Sequence, residues 1–269
     1  TVQVEPINEV RASDGLACVA AGPRAVLVDY SDPKEPRVRG SFEIMNAFDV
    51  ELADGLAFVS DSKAGAVVVL DLRNPDAPAE RARITGLNAN GIRLELAQAG
   101  ERRLLYVSEY GACAVRIYDV TDPDAPSQVG AWRVAQTAAL SPPGRGGNLA
   151  DVAVSGRTAV TTNFTFGLQV LDVSDPTKPR FTGEVRAAGE VGNVVVIDDG
   201  VVALEDFCQT LLIFDTSDPE KMRVRGQYHW GGRNWPGVTY RAPYFYVSGQ
   251  FPPGIVTVDL SQPFRPRPV

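Results

Sequence analysis

The 269-residue chain is poor in the residues on which many familiar sites depend, with three cysteines, two methionines and one histidine. The cysteines Cys18, Cys113 and Cys208 are an odd number and lie far apart, so no disulfide framework is indicated. No zinc-ligand spacing, Walker loop, dinucleotide-binding glycine fingerprint or nucleophile elbow occurs in the sequence. The sequence therefore argues against the enzyme classes that depend on those motifs.

Long apolar runs and an excess of positive charge are also missing. No run approaches the ~20 apolar residues of a membrane-spanning helix, so we expect no membrane span. The net charge is −7, whereas nucleic-acid binding relies on clustered Lys and Arg, so we expect no nucleic-acid partner. The sequence begins at Thr1 and not at Met, which is compatible with a removed leader or a cleaved tag. The compartment, cytoplasmic or exported, therefore stays open.

The sequence does contain one phrase that is repeated six times. A representative copy is LQVLDVSDPTKPRFTG at 168–183, in which an apolar run is followed by Asp, a Ser-Asp-Pro turn, a second Pro and a Gly. The first aspartates of the six copies are Asp29, Asp71, Asp119, Asp172, Asp215 and Asp259. Such regular recurrence identifies the phrase as a structural repeat, so any function has to be sought elsewhere.

Each repeat contains four stretches with the alternating apolar pattern of β-strands. In residues 46–84 they are separated by an Asp-Gly turn at 54–55, a loop at 61–65 and an Asn-Pro turn at 74–75. Asp-Gly favours tight hairpins, and Pro presets a tight turn. Four strands repeated every ~40–50 residues are the signature of a propeller blade. We therefore predict an all-β fold, a six-bladed β-propeller of four-stranded antiparallel blades, forming a single domain over residues 1–269.

The VLDVSDPxxPxxVG phrase resembles the LVIVD-repeat β-propeller family, and the resemblance extends over nearly the whole chain. It implies the propeller fold but no particular activity, because the repeated residues are structural. The sixth copy ends at Val269 without room for a full fourth strand, whereas residues 1–5 alternate like a short strand. We predict that residues 1–5 complete the last blade as its outer strand and so close the ring.

The functional face is predicted from the loops that differ between repeats. These are the loops between the second and third strands and the crossovers from one repeat to the next. The crossover at 134–148 is a long insertion rich in Pro and Gly, and the crossover at 227–237 holds His229 and two tryptophans. Functional residues concentrate in variable loops on a rigid scaffold, so we place the functional face there.

Polar residues at the starts of the innermost strands are expected to line a central funnel on this face. They are Asn46, Asp49, Asn88, Asn90, Asn148, Asp151, Asn193, Arg233 and Asn234. Such a funnel suits a polar ligand or a cation. Polar side chains near the axis of a propeller also cap exposed backbone groups, and the sequence is compatible with either interpretation.

The fifth and sixth repeats hold the densest set of chemically capable residues. We predict His229 as a general acid–base group paired with Asp206 or Glu205, because histidine ordinarily titrates nearest to neutrality. The predicted substrate-binding residues are Trp230, Arg233, Asn234, Trp235, Tyr110, Glu109, Asn148, Phe164 and Phe207. A histidine that merely packs or faces solvent is the alternative interpretation. We predict no cofactor and assign no metal; a divalent cation held by His229 and neighbouring carboxylates is the weaker alternative.

Two functions are open at this point. The favoured one is an enzyme that binds a small-molecule substrate in the funnel and carries out acid–base chemistry of the lyase, isomerase, cyclase or hydrolase type. The alternative is a non-catalytic propeller that binds a protein partner or a glycan on the same face, through aromatic residues such as Phe164 and Phe251. The fold alone does not decide between them.

Overall fold

The computed structural model describes residue 4 and residues 7–134, 149–163, 167–185, 191–198, 200–206, 210–218, 221–230, 238–250 and 253–269. Within these ranges the secondary structure consists of β-strands, with no helix, so the all-β prediction is confirmed. In particular, the described ranges contain no helix long and apolar enough to cross a membrane.

The strands form five sheets in which sequential strands are neighbours. The first sheet contains β1 (Glu9–Ser13), β2 (Leu16–Asp29), β3 (Arg37–Ala53), β4 (Leu56–Asp61), β5 (Ala66–Asp71) and β6 (Ala79–Ile84). The second contains β7 (Ile92–Ala99), β8 (Arg102–Glu109), β9 (Ala114–Asp119) and β10 (Ser127–Arg133). The third contains β11 (Leu149–Ser155), β12 (Thr158–Asn163), β13 (Gly167–Asp172) and β14 (Arg180–Val185). The fourth contains β15 (Val191–Asp198), β16 (Val201–Asp206), β17 (Thr210–Asp215) and β18 (Arg223–His229). The fifth contains β19 (Val238–Arg241), β20 (Tyr244–Gln250), β21 (Pro253–Asp259) and β22 (Arg267–Pro268).

The four-stranded antiparallel blade is confirmed, but the prediction of six blades is wrong, because the residues that the structure describes form five. The first two repeats share the six-stranded first sheet. Its strands β2 and β3 are 14 and 17 residues long and continue through the point at which a blade would end. β2 pairs with β1 through its first half and with β3 through its second half, and β3 then pairs with β4. With no turn to interrupt these long strands, the boundary between repeats one and two is lost.

The predicted closure by residues 1–5 is also corrected. The fourth strand of the last sheet is β22, in which Arg267 pairs with Asp259 and Pro268 pairs with Val258. The C-terminal segment therefore supplies the strand that the sequence had assigned to the N-terminus. Of residues 1–5 the structure describes Val4, which packs against the apolar cluster of the first sheet; the others lie outside the described residues.

The chain forms two compact units, residues 1–112 with 116–129, and residues 113–115 with 130–269. In the first unit, Phe58 and Leu105 are fully buried in one cluster formed by the first and second sheets. In the second unit, Phe214 is buried with side chains of the third and fourth sheets, and Phe245 with side chains of the fourth and fifth. Alternate residues of each strand therefore supply the cores. The prediction of a single domain stays a prediction.

The repeated phrase is a turn unit, as the sequence indicated. In every copy a carboxylate oxygen of the first Asp accepts the backbone N–H of the residue two positions later. Hydrogen bonds from that same residue lower the pKa of all six aspartates, to about 2 for Asp71 and Asp172. The bond ties the end of the third strand of the repeat to the Pro turn that follows.

The glycine near the end of the phrase allows the next repeat to approach. A Cβ atom at Gly40 would lie 2.5 Å from the carbonyl oxygen of Pro75, and one at Gly130 would lie 2.0 Å from that of Pro176. Both distances are far below van der Waals contact, so a larger residue would force the turn of the next repeat away. The phrase thus holds its own turn and makes room for that of its neighbour.

Candidate functional site

The predicted acid–base group His229 lies at the end of β18 in the fourth sheet. The register places it opposite Thr210 of β17, and Thr210 is opposite Asp206 of β16. His229 is exposed, and its Nδ1 atom lies 3.3 Å from the Thr210 hydroxyl. Asp206, Thr210 and His229 therefore form one row of residues that lie opposite one another across β16, β17 and β18. Because β17 lies between them, the backbones of Asp206 and His229 are about 10 Å apart. Thr210 is the residue between the two in this row.

Glu205, the other predicted carboxylate, occupies a different row. It pairs with Leu211, which in turn pairs with Tyr228, so its side chain points to the face of the sheet opposite that of Thr210 and His229. Glu205 is fully buried, and Asn193 Nδ2 lies 3.4 Å from its Oε2 atom. Glu205 and His229 thus belong to the same sheet, but the register places their side chains on opposite faces of it.

Most of the predicted substrate-binding residues of the second unit lie outside the described residues: Asn148, Phe164, Phe207, Arg233, Asn234 and Trp235. Cys208 and Phe251 lie outside them as well. Trp230 is described, and it packs against the buried cluster that contains Ala203, Leu211 and Phe245. The assignment of these residues to a substrate site stays a prediction.

The two predicted residues of the first unit, Glu109 and Tyr110, end β8 and begin the turn that follows. Glu109 is fully buried; it accepts the backbone N–H of Asn88 at 2.5 Å and hydrogen bonds from the Arg116 guanidinium. The backbone N–H of Tyr110 donates to Gly91 O at 3.2 Å. These contacts hold the turn after β8 against the segment that precedes β7, and a binding role for either residue stays a prediction.

Two of the funnel aspartates, Asp49 and Asp151, make the same pair of backbone hydrogen bonds. The Oδ1 atom of each accepts the N–H of the following residue, and Oδ2 accepts the N–H of Leu94 or Val194 in the first strand of the next repeat. The distances to Leu94 and Val194 are 2.8 and 3.0 Å. Each aspartate therefore fastens one first strand to the next, which is the backbone-capping role that the sequence left open.

Sequence reasoning missed a charged network in the first unit, formed by Glu9, Arg11, Glu51 and Arg93. Arg11 donates from Nη1 to Glu9 Oε1 at 2.9 Å and from Nε to Glu51 Oε1 at 3.0 Å. Arg93 Nη1 donates to the second oxygen of Glu9 at 3.1 Å, and its guanidinium lies 4.8 Å from the ring centroid of Phe48. The network joins β1, β3 and β7, the strands that carry the starts of repeats one, two and three.

The carboxyl groups of the charged network have unusual acidity. Burial raises the pKa of Glu51 to about 7, against the opposing effect of Arg11, and the nearby Asp49 charge adds to the rise. Burial and Asp49 also raise the pKa of Glu9, while Arg11 and Arg93 oppose the rise. The side chains of Glu9 and Glu51 are 15% and 14% exposed, so both are mostly buried but still reach water.

A signal for this network was present in the sequence. Charged residues alternate in EVR (9–11), DVE (49–51) and RLE (93–95), each at the start of a repeat. Charge on one face of a strand ordinarily indicates a solvent-exposed face. Nothing in the local pattern shows that three such faces meet, since Glu9 and Arg93 are 84 residues apart.

Within the described ranges, no three His, Cys, Asp or Glu side chains are arranged so that they could hold a metal ion. The carboxylates of the charged network are bridged by guanidinium groups, which compete with a cation for the same oxygens. The geometry of the network is therefore suited to proton transfer or to a neutral polar ligand.

The first two repeats share one sheet, and each later repeat forms a four-stranded sheet of sequential antiparallel strands. Such repeated sheets place the fold in the β-propeller class. Solved structures share this fold at low sequence identity. U3-55K matches with a TM-score of 0.75 and 11% identity, covering 100% of this chain and 82% of that one. A functionally unknown protein from Desulfotomaculum acetoxidans DSM 771 matches with 0.74 and 12%, covering 97% and 84%. The periplasmic gluconolactonase of Pseudomonas aeruginosa matches with 0.71 and 14%, covering 91% and 77%.

The repeat itself identifies the kind of propeller. Residues 146–187 match the family model of the LVIVD repeat. This match lies within the β-propeller fold and confirms the resemblance inferred from the phrase. No curated protein matches the sequence. These three solved structures are 11–14% identical to the chain, so they establish the fold and leave the function to the residues of this chain.

Proposed function

We propose that this propeller is an enzyme that carries out acid–base chemistry on a small polar molecule, with Glu51 as the group that exchanges the proton. One observation carries the proposal: two shielded carboxyl groups, Glu9 and Glu51, share the guanidinium of Arg11. A carboxyl group with a pKa of about 7 is present in both protonation states near neutral pH. General acid–base catalysis requires such a group.

The hydrogen bonds of Glu51 leave one oxygen for a substrate. Arg11 Nε donates to Oε1, and no described residue is hydrogen-bonded to Oε2. In the proposed reaction Oε2 takes a proton from an O–H or C–H group, and the electron pair of the broken bond stays on the substrate. The same carboxyl group returns the proton when the substrate has rearranged or has lost its leaving group. Arg11 stabilises the ionised form of Glu51, and Arg93 holds Glu9 in place.

The sequence-predicted site around His229 is a second candidate for the same class of reaction. The observation in its favour is that the imidazole is exposed and lies within reach of the Thr210 hydroxyl, which orients it. Asp206 occupies the next position of the same row. The two sites belong to different units of the chain, so variants of each test them separately.

A thermal-shift screen with small polar metabolites tests the proposal. The proteins are the wild type, Glu51→Gln, His229→Ala and the control Glu43→Gln, which changes an exposed carboxylate on the same strand as Glu51. Gluconolactone belongs in the panel because a gluconolactonase shares the fold. A ligand at about 100 times its Kd adds about 2.7 kcal/mol to the free energy of unfolding, a shift of several degrees in Tm.

The expected result is a ligand that raises Tm in the wild type and in Glu43→Gln but not in Glu51→Gln. Turnover of that ligand should show a limb near pH 7 in the kcat/KM profile, and Glu51→Gln should remove it. Loss of the shift in His229→Ala alone would move the active site to the fourth sheet. A ligand that binds without turnover would favour the non-catalytic alternative, and a partner pull-down would be the next measurement.

A further inference from the structure

A polar groove separates the outer strand of the fourth sheet from the last Pro turn of the chain. It has a volume of about 420 Å³, and its lining includes Arg225, Gly226 and Gln227 of β18 and Phe264 and Arg265 of the turn. This volume is in the range of small-molecule sites. β18 is an edge strand of its sheet, and no described strand pairs with its backbone N–H and C=O groups on this side.

At the equivalent position in two earlier pairs of neighbouring repeats, an arginine of one repeat forms an ion pair with an aspartate of the next. Arg39 is ten residues after its phrase Asp and binds Asp76 of the next turn, through Nε and Nη2, both at 2.7 Å. Arg81 binds Asp124 in the same way, with Nε at 2.7 Å. An arginine of one repeat is thus neutralised by an aspartate five residues after the phrase Asp of the next repeat.

Repeat six differs from repeats two and three, because the position of Asp76 and Asp124 is taken by Phe264. Arg225 corresponds to Arg39 and Arg81, and its guanidinium lies over the Phe264 ring, 4.3 Å from the centroid. Its ion pair among the described residues is with Asp215 of its own repeat, at 3.2 Å. Arg39 has two carboxylate partners, Asp29 and Asp76.

The groove therefore brings together two guanidinium groups, of which one is paired with Asp215, in a protein of net charge −7. Arg225 is 43% exposed and Arg265 is exposed, and the residues that line the groove include no Asp or Glu. Stacking on Phe264 holds the Arg225 guanidinium in one orientation, which lowers the entropy cost of binding a ligand. Guanidinium groups are well suited to carboxylates, because both are planar and form paired hydrogen bonds.

We propose that the groove between β18 and the turn at 264–266 binds a small organic carboxylate. The carboxylate takes the place of the missing aspartate against Arg225 and Arg265, and its apolar part lies along Phe264. This site is separate from the charged network of the first unit, and the inference does not depend on the proposed reaction.

Titrations followed by NMR test the inference, with benzoate as the probe. In the wild type we expect saturable shifts at the Gly226 amide and the Arg225 Nε–H. Phe264→Asp restores the ion pair of the earlier repeats, so it should weaken benzoate binding at least tenfold while the protein stays folded. Arg265→Gln should also weaken binding, and the control Arg39→Gln should leave it unchanged. In the reciprocal variant, Asp76→Phe, new benzoate shifts are expected around Arg39.

Three results would overturn the inference. The first is the absence of saturable shifts in the wild type. The second is undiminished binding in both Phe264→Asp and Arg265→Gln, of which Arg265→Gln changes an exposed side chain and should not disturb folding. The third is equal affinity for inorganic phosphate in a parallel titration, which would make the groove a general anion site and not a carboxylate site.

Discussion

The first strands of the repeats are joined by charge in one unit of the chain and by apolar packing in the other. In the first unit, β1, β3 and β7 meet through Glu9, Arg11, Glu51 and Arg93. In the second unit, Val195 and Ile197 of β15 and Val238 and Tyr240 of β19 pack against one buried apolar cluster. The same repeat therefore permits two kinds of contact between neighbouring first strands.

The comparison distinguishes contacts that belong to the fold from contacts that are particular to one unit. Asp49 and Asp151 make the same backbone hydrogen bonds in both units, so these bonds belong to the architecture. Apolar contacts hold neighbouring strands together without burying any charge. Shielded carboxylates and guanidinium groups lose hydration, and pairing has to compensate for the free energy that this loss costs. Retaining a network of such groups between the first strands of one unit is therefore a reason to look for function there.

Removing the shared aspartates should have the largest effect. Asp49→Ala leaves the backbone N–H groups of Val50 and Leu94 without their acceptor, and Asp151→Ala does the same to Val152 and Val194. At about 2 kcal/mol for each unsatisfied group, each variant should lose about 4 kcal/mol of unfolding free energy. Urea unfolding measures the loss. Similar losses in both variants would support a common structural role, and a small loss in either one would contradict it.

The next effect distinguishes the units through pH. The pKa of Glu51 rises from 4.5 unfolded to about 7 folded, so the folded state retains a proton that the unfolded chain releases in this window. The unfolding free energy should therefore fall by up to about 3 kcal/mol as the pH rises from 4.5 through 7, at about 1.4 kcal/mol per pKa unit. Glu51→Gln should remove most of this fall in urea unfolding measured at several pH values.

Two results from these variants would contradict the assignment to Glu51. One is an unchanged pH dependence in Glu51→Gln. The other comes from Asp49→Ala, which removes a charge that raises the pKa of Glu51 and should shorten the pH window, whereas Asp151→Ala should leave the window as it is.

A smaller effect is expected from the apolar contacts of the second unit. Val194 is 3% exposed and packs with Val160, Leu168 and Phe214. Val194→Ala removes two buried carbon atoms and should cost about 2 kcal/mol. Its loss should be the same at pH 5 and pH 8, because no titrating group is involved. A loss that changes with pH would show that the two kinds of contact are less distinct than the structure indicates.

The smallest effect is expected at the edge of the charged network. Arg93→Ala removes the ion pair with Glu9 and the stacking on Phe48, both of which are partly exposed to water. It should cost about 1 kcal/mol, and added salt should reduce the difference from the wild type. The matched control is Arg241→Ala, an exposed arginine on β19, which should have little effect. A salt-independent loss would indicate that the alkyl part of Arg93 is what matters.

The fold was predicted from the sequence to the extent that it depends on local chemistry. The Asp-Pro turns and Asp-Gly hairpins use residues a few positions apart, and these gave the four-stranded blade. The number of blades was wrong because the sequence pattern does not show that β2 and β3 continue without a turn. The fourth strand of the last sheet was missed because Arg267–Pro268 is too short to show an alternating pattern.

The candidate site was harder to predict than the fold. The sequence predicted Glu205 and Asp206 in a loop beside the crossover that holds His229, whereas all three lie on strands of one sheet. The separation of Glu205 and His229 onto opposite faces depends on the register of β16, β17 and β18. A shift of one residue in register would reverse it, and loop sequences do not determine register to that accuracy.

By itself the sequence determined the repeat, the strand chemistry and the turn at each phrase aspartate, because these depend on neighbours within two or three residues. Tertiary structure alone decided that Glu9, Arg11, Glu51 and Arg93 meet, that Asp49 reaches Leu94, and that Phe264 faces Arg225. Each of these contacts joins strands or turns from different repeats. The acidity of Glu51 depends on that arrangement, since burial, Arg11 and Glu9 of β1, and Asp49 of its own strand act on it together.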